Sequence, residues 1–326
     1  SLAGAESRII DVEGRAIIPG IIDAHAHMER EGLKSLRLSL TGAKSIADIL
    51  GRISEAAGKT PKGEWIVTMP VGEPPHYYDE LETIAERRMP TRQELDKAAP
   101  GHPVCIMAAF GFWGAPPCYW ALNSQALALN GVTANTKPAF GTIVIEKDPG
   151  TGEPTGIIVE NSPRPIAPFD ILKAVPKFTY EERLAGLKES MRLYNAVGTT
   201  GIYEGHGSSP ETIALYRDLS ERNESTIRSR LTVSPTWRTL EQARDSICND
   251  LAYARGNGLG DGWLRVSGVF IGLMGDTALR NKSIDALPDT GWSGFIEPAT
   301  SYDEFSELAH LCAANDLRLH TIVSGR

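Results

Sequence analysis

Ile17-Ile18-Pro19-Gly20-Ile21-Ile22-Asp23-Ala24-His25-Ala26-His27 is the stretch on which the fold turns. A Pro-Gly step punctuates an apolar, β-branched run that ends in His-x-His. The composition predicts an apolar strand, and we assign residues 17–29 to a first strand and its end. Residues i and i+2 of a strand point to the same side. His25 and His27 would therefore aim two imidazoles at one point. Imidazole suits zinc and neighbouring transition metals. The plainer reading is two polar residues at a strand end that happen to be histidines.

Outward from this stretch, the chain from 179 to 326 alternates. Thr179 with Glu182 has the form of a capping box. Tyr180, Leu184, Leu187, Met191 and Tyr194 then recur at spacings of four and three, which lays one apolar stripe along a helix. Gly198 suits its C-terminal end, and Thr199–Tyr203 reads as a strand. Ser209-Pro210 opens a second helix and Ser229–Val233 a second strand. Thr239 with Gln242 caps a third helix, followed by a strand over Leu264–Ile271. Ser301 with Glu304 caps a fourth, followed by a strand over Leu317–Val323. Helix and strand in regular succession predict parallel β/α units, in a (β/α)8 barrel or an open doubly wound sheet. No Gly-x-Gly-x-x-Gly follows a strand and opens a helix. The glycines of 256–262 precede a strand and read as a flexible turn. Both observations tilt the choice toward the barrel.

Residues 30–178 differ. Ser45 with Asp48 and Thr91 with Glu94 cap two helices, and Trp65–Pro70 and Val104–Phe110 read as strands. Prolines are frequent, and Thr142–Lys147 with Thr155–Val159 form a hairpin about a long turn. We read this segment as an inserted α+β subdomain.

The chain has 326 residues, 33 Lys+Arg against 41 Asp+Glu, and four Cys. Its length fits about two domains or one large α/β barrel. Such a chain buries a core without staples. The net charge of -8 argues against nucleic acid or an anionic membrane as main partner. The cysteines are too scattered for a disulfide scaffold or a Cys-x-x-Cys metal site. No apolar run approaches the ~18 residues of a membrane helix. The first residues lack the basic-then-apolar order of a signal peptide. We expect a cytoplasmic protein.

Three more residues carry candidate chemistry. His320 falls in the last β-run, and barrel enzymes draw working residues from the C-terminal ends of several strands. Glu204 and His206 close the strand before Gly207, with ligand, acid/base and substrate-contact roles open. A carboxylate that merely caps a loop is the plain reading of Glu204. His76, His102 and His310 read as structural or exposed. Tyr77, Tyr78, Trp113, Tyr119 and Trp120, and the loop between Asp276 and Glu297 with Trp292, are candidate pocket walls. Aromatics are more often core.

Taken together, several stretches resemble the amidohydrolase superfamily and, within it, amidohydrolase family 3, the group that contains N-substituted formamide deformylases. They are Pro19 through His27; Gly63-Glu64-Trp65; Met89 through Asp96 with His102-Pro103-Val104; Leu122 through Leu127 with Asn130-Gly131-Val132; and Thr151 through Gly156. The resemblance implies a (β/α)8 barrel, a small β-sandwich to which residues 1–16 contribute, and one or two divalent metal ions, with zinc the expected one. It matches His25 and His27 to first-strand ligands, His320 to a fifth-strand ligand, and Glu204 and His206 to the end of the second strand.

The sequence departs from that pattern. Phe270 stands where a fourth-strand Lys is expected, and a phenyl ring cannot bridge two metals. Phe110–Trp120 supplies no His. The stretch before His25 is short for sandwich strands. Counterparts of the sixth-strand His and eighth-strand Asp are absent before Arg326. Five strands of a barrel would leave an open edge, so we expect an incomplete barrel belonging to a longer protein. The expected activity is hydrolysis of a carbon–nitrogen bond in a small amide, formamide or cyclic amide. The alternatives are an inactive small-molecule-binding relative and a mononuclear metal lyase or decarboxylase. Assembly into a homo-oligomer is left open.

Overall fold

The computed structural model describes residues 4–74, 77, 81–108, 110, 115–162, 166–273, 277–285 and 299–321. In chain order the strands are β1 (Ile21–Ala26), β2 (Ile66–Thr68), β3 (Val104–Ile106), β4 (Cys118–Leu122), β5 (Ile143–Lys147), β6 (Pro154–Glu160), β7 (Thr199–Glu204), β8 (Arg228–Val233), β9 (Leu259–Gly260), β10 (Leu264–Phe270) and β11 (Leu319–His320). The helices are α1 (Met28–Leu33), α2 (Ile46–Ala57), α3 (Arg92–Ala98), α4 (Ser124–Leu129), α5 (Ala167–Asp170), α6 (Tyr180–Ala196), α7 (Pro210–Glu221), α8 (Leu240–Cys248), α9 (Thr277–Asp285) and α10 (Tyr302–Ala314). No helix among the described residues is long and apolar enough to cross a membrane.

Local chemistry sets these boundaries. At α6, Thr179 Oγ1 accepts the Glu182 N–H at 3.2 Å, and the Glu182 carboxylate accepts the Thr179 N–H at 2.7 Å. Its apolar stripe buries Leu184, Leu187 and Met191, and Gly198 follows at φ +83. Ser209, Thr239 and Ser301 accept the N–H three residues on at α7, α8 and α10.

The strands form two sheets. In the first, β1-β7-β8-β10-β11 run parallel in that order. Its helix-facing side is covered by one apolar cluster that includes Leu187, Leu215, Leu231, Ile247 and Leu308. The second sheet, β2-β3-β4-β6-β5, is antiparallel apart from β2 and β3. It is built wholly from residues between β1 and β7, with a core on each face. The arrangement is α/β.

Three expectations change. β1 starts at Ile21, and Ile17 and Ile18 are exposed. It also closes at Ala26, so His27 is the N-cap of α1 and not a strand residue. The 256–262 glycines do not form a plain turn. Leu259–Gly260 pairs antiparallel with β10, where a Cβ on Gly258 or Gly260 would meet a β10 carbonyl oxygen at 2.0 or 2.1 Å. Finally, β4 has no counterpart in the sequence reading. Its aromatic-rich run lacks period-two alternation, because both of its faces pack against core.

α1 crosses α6 at glycines. A Cβ on Gly32 would lie 1.6 Å from the Gly186 carbonyl oxygen. Only hydrogen at both positions permits this approach.

Candidate metal centre

β1 and β7 end side by side, with Ala26 in register with Glu204 and the Gly205 N–H donating to the Ala26 carbonyl at 2.9 Å. This brings His25, His27 and His206 together. One ring nitrogen from each lies within 4.8 Å of the other two. His206 Nδ1 is 3.1 Å from His27 Nε2, and those two rings stack at 4.6 Å between centroids. His25 lies 5.0 Å from His27 and 5.1 Å from His206. Gly205 makes the cluster possible, since a Cβ there would sit 2.6 Å from the His25 ring. The Asp23 carboxylate accepts the His25 N–H at 2.9 Å and steadies the strand end.

His320 approaches from β11, 5.8 Å from His25 between ring centroids. Its Nε2 is buried without a hydrogen-bond partner among the described residues. Such an orphan is costly unless something else meets it. Phe270, in register with His320, is buried and sets its ring against His206 at 5.4 Å and His320 at 5.9 Å. The ring seals one side of the cluster and offers no donor atom.

Burial dominates the electrostatics. It pushes His27 down to about 2, helped by the nearby His206 and Arg30, and His206 down to about 3, helped by His25 and His320. His25 and His320 are lowered for the same first reason. The rings are thus held neutral at pH 7, the form whose lone pair binds a metal. Ligands about 2.1 Å from one ion lie at most about 4.2 Å apart. The trio's donor atoms lie within 4.8 Å of one another, close to that span. The donor set, its neutrality and the orphaned His320 nitrogen fit a divalent ion of the zinc class.

Glu204 lines a small cavity with His27 and His206 but is not one of the clustered donors. It is buried at 6% exposure. One carboxyl oxygen accepts the Tyr216 hydroxyl at 3.3 Å and the other the Met28 N–H at 3.4 Å. The sequence reading has Glu204 and His206 both close the strand, but β7 ends at Glu204 and His206 lies in the turn beyond it, so strand alternation does not align the two. Burial raises its carboxyl to about 8, with nearby Glu29 adding to the rise against the two hydrogen bonds.

Behind it lies a group with no sequence motif. Arg183 of α6, 2% exposed, pairs with buried Glu29 and with Glu211, and its Nη2 reaches Thr212 Oγ1 at 3.1 Å. An arginine beside the apolar stripe of α6, and a glutamate two residues after His27, were the available signals. His102 Nδ1 meets the Glu64 carbonyl at 3.1 Å and His310 Nδ1 the Ser306 carbonyl at 2.7 Å, both away from the cluster. Trp120 is core and hydrogen-bonds Glu160. Tyr77 packs with Leu33 and Phe110. His76, Tyr78, Trp113 and Trp292 lie outside the described residues.

The sequence pattern of the amidohydrolase family matches residues 8–325. The N-substituted formamide deformylase of Arthrobacter pascens is 30% identical over 222 residues, covering 66% of this chain and 37% of that protein. The protein LONG AFTER FAR-RED 3 of Arabidopsis thaliana is 24% identical over 272 residues, covering 80% of this chain and 41% of its own length. An uncharacterized metal-dependent hydrolase of Pyrococcus horikoshii OT3 has the same fold, with a TM-score of 0.54 at 19% identity over 93% of this chain and 52% of that one. The chain spans about half or less of the length of these relatives.

Proposed function

The chain belongs to the amidohydrolase family, and from that premise we propose that it acts as a metal-dependent hydrolase of a carbon–nitrogen bond in a small amide, formamide or cyclic amide. The observation that carries the proposal is the convergence of three neutral imidazoles on one point, with a fourth nitrogen beside them orphaned. His25, His27 and His206 would hold the ion, with His320 beside them as a further donor. A zinc-class ion held there would polarise a carbonyl and lower the pKa of water toward ~7. The chain's own part is to keep four rings neutral and oriented. Asp23 and the β1–β7 register fix His25, the start of α1 fixes His27, and Phe270 excludes water from one flank. Phe270 in place of a bridging lysine favours one ion over two.

The similarity to the Arthrobacter deformylase makes N-substituted formamides the first substrates to try. The five parallel strands are read as part of a (β/α)8 barrel, with residues 30–178 as its inserted subdomain. The test is metal content by inductively coupled plasma mass spectrometry, followed by amine and formate release from a formamide and amide panel. About one equivalent of divalent metal in the wild-type chain, lost in the His25→Ala/His27→Ala variant, is the expected result. Equal metal content in the two proteins would refute the site. Carbon dioxide release would favour a lyase, and binding without turnover a binding protein.

A further inference from the structure

His27 occupies the N-cap of α1, a position that Ser, Thr, Asp and Asn favour because their side-chain oxygens accept the helix's first N–H groups. An imidazole committed to the cluster does not do this, and His27 makes no capping hydrogen bond. The first turn of α1 therefore needs an acceptor from elsewhere. The structure has one. Glu204, from the neighbouring strand, extends Oε2 to the N–H of Met28, the first residue of α1, at 3.4 Å. Its Oε1 is held at 3.3 Å by the hydroxyl of Tyr216, itself 1% exposed. Thr232 Oγ1 donates to the Glu204 backbone carbonyl at 3.3 Å. Both ends of the residue are thus fixed by β8 and α7.

We propose that Glu204 is a positioning residue that caps α1 in place of His27, leaving the His27 imidazole available to the cluster. It contributes an acceptor oxygen at a fixed place and does not ligate the ion. This inference rests on the metal-site reading, and the tests separate the two.

An amide keeps one acceptor oxygen, so Glu204→Gln should preserve the cap, whereas Glu204→Ala removes it. The expected result is a cobalt(II) dissociation constant within about threefold of wild type for Glu204→Gln. For Glu204→Ala it should be roughly tenfold to hundredfold weaker, the usual cost of losing a group that orients a ligand. The visible cobalt absorption bands should be unchanged in Glu204→Gln and altered in Glu204→Ala. Hydrogen exchange of residues 28–33 in the metal-free protein gives a readout independent of the ion. It should be faster in Glu204→Ala and unchanged in Glu204→Gln. A Glu204→Gln variant that loses affinity as Ala does would overturn the proposal, since the charge would then be what matters. An Ala variant with wild-type affinity and exchange would overturn it too. Should Ala fail to fold, the Gln result decides alone. A wild-type chain that binds no cobalt would remove the metal reading, and the exchange comparison would still judge the cap.

Discussion

β6 and β7 belong to different sheets and end alike, each in a buried glutamate. Glu160 is fully covered and Glu204 nearly so. Each reaches the start of a helix. Glu160 accepts the N–H groups of Ile166 and Ala167 at 2.5 and 3.1 Å and the Trp120 indole at 2.9 Å. Glu204 accepts one backbone N–H and one hydroxyl. Burial raises both carboxyls. The difference is in what lies beyond. Past Glu160 are Trp120 and the second sheet's apolar core, whereas past Glu204 are four histidines. A buried acid with a shifted pKa is therefore no mark of chemistry in this molecule. The mark is the convergence of imidazoles held neutral by burial.

The sharpest break in this comparison is Gly32→Ala. The added methyl meets the Gly186 carbonyl and forces α1 from α6. We expect a loss on the order of 3 kcal/mol or more in urea denaturation, with the second sheet's secondary structure least affected. Next is Gly205→Ala, whose methyl strikes the His25 ring. Cobalt affinity should fall by roughly tenfold or more, while the metal-free protein unfolds within about 1 kcal/mol of wild type.

Glu160 sharpens the contrast through pH. Its carboxyl is raised by burial from 4.5 to about 7, so the folded state holds a proton that the unfolded state releases. The resulting stabilisation is complete below pH ~4.5 and is lost as pH rises through ~7. Up to about 3 kcal/mol should disappear across that window. Glu160→Gln should flatten this part of the urea-midpoint profile. The smallest effect concerns Ser45, which caps α2 with Asp48. Ser45→Ala should cost about 1 kcal/mol and leave cobalt binding unaltered.

Much of this architecture was legible in residue order. The capping pairs at Ser45, Thr91 and Thr179 are realised as reciprocal boxes because they depend on four consecutive residues and no tertiary partner. The parallel strands after 198 follow from the same local logic. His25, His27, His206 and His320 each stand out where a strand ends. Which three come closest could not be read, because that depends on β1 lying beside β7 while β11 sits at the far edge. Nor could the orientation of Glu204, since the alternation argument holds within a strand and fails one residue past its end. Arg183 and Glu29 left almost no trace, because a buried ion pair between α6 and α1 has no periodicity.

The pairing of Ile21 with Thr199 has a consequence for assembly. In the second sheet, Ile145 pairs with Ile158, a far more local contact. Local pairings close cheaply and form early. The second sheet should therefore fold first, drawing together the ends of the segment between β1 and β7. His25 lies before that segment, and the strands that lead to His206 and His320 lie after it. The cluster is thus a late product of folding, and mutations that slow the second sheet would delay it without touching a single histidine.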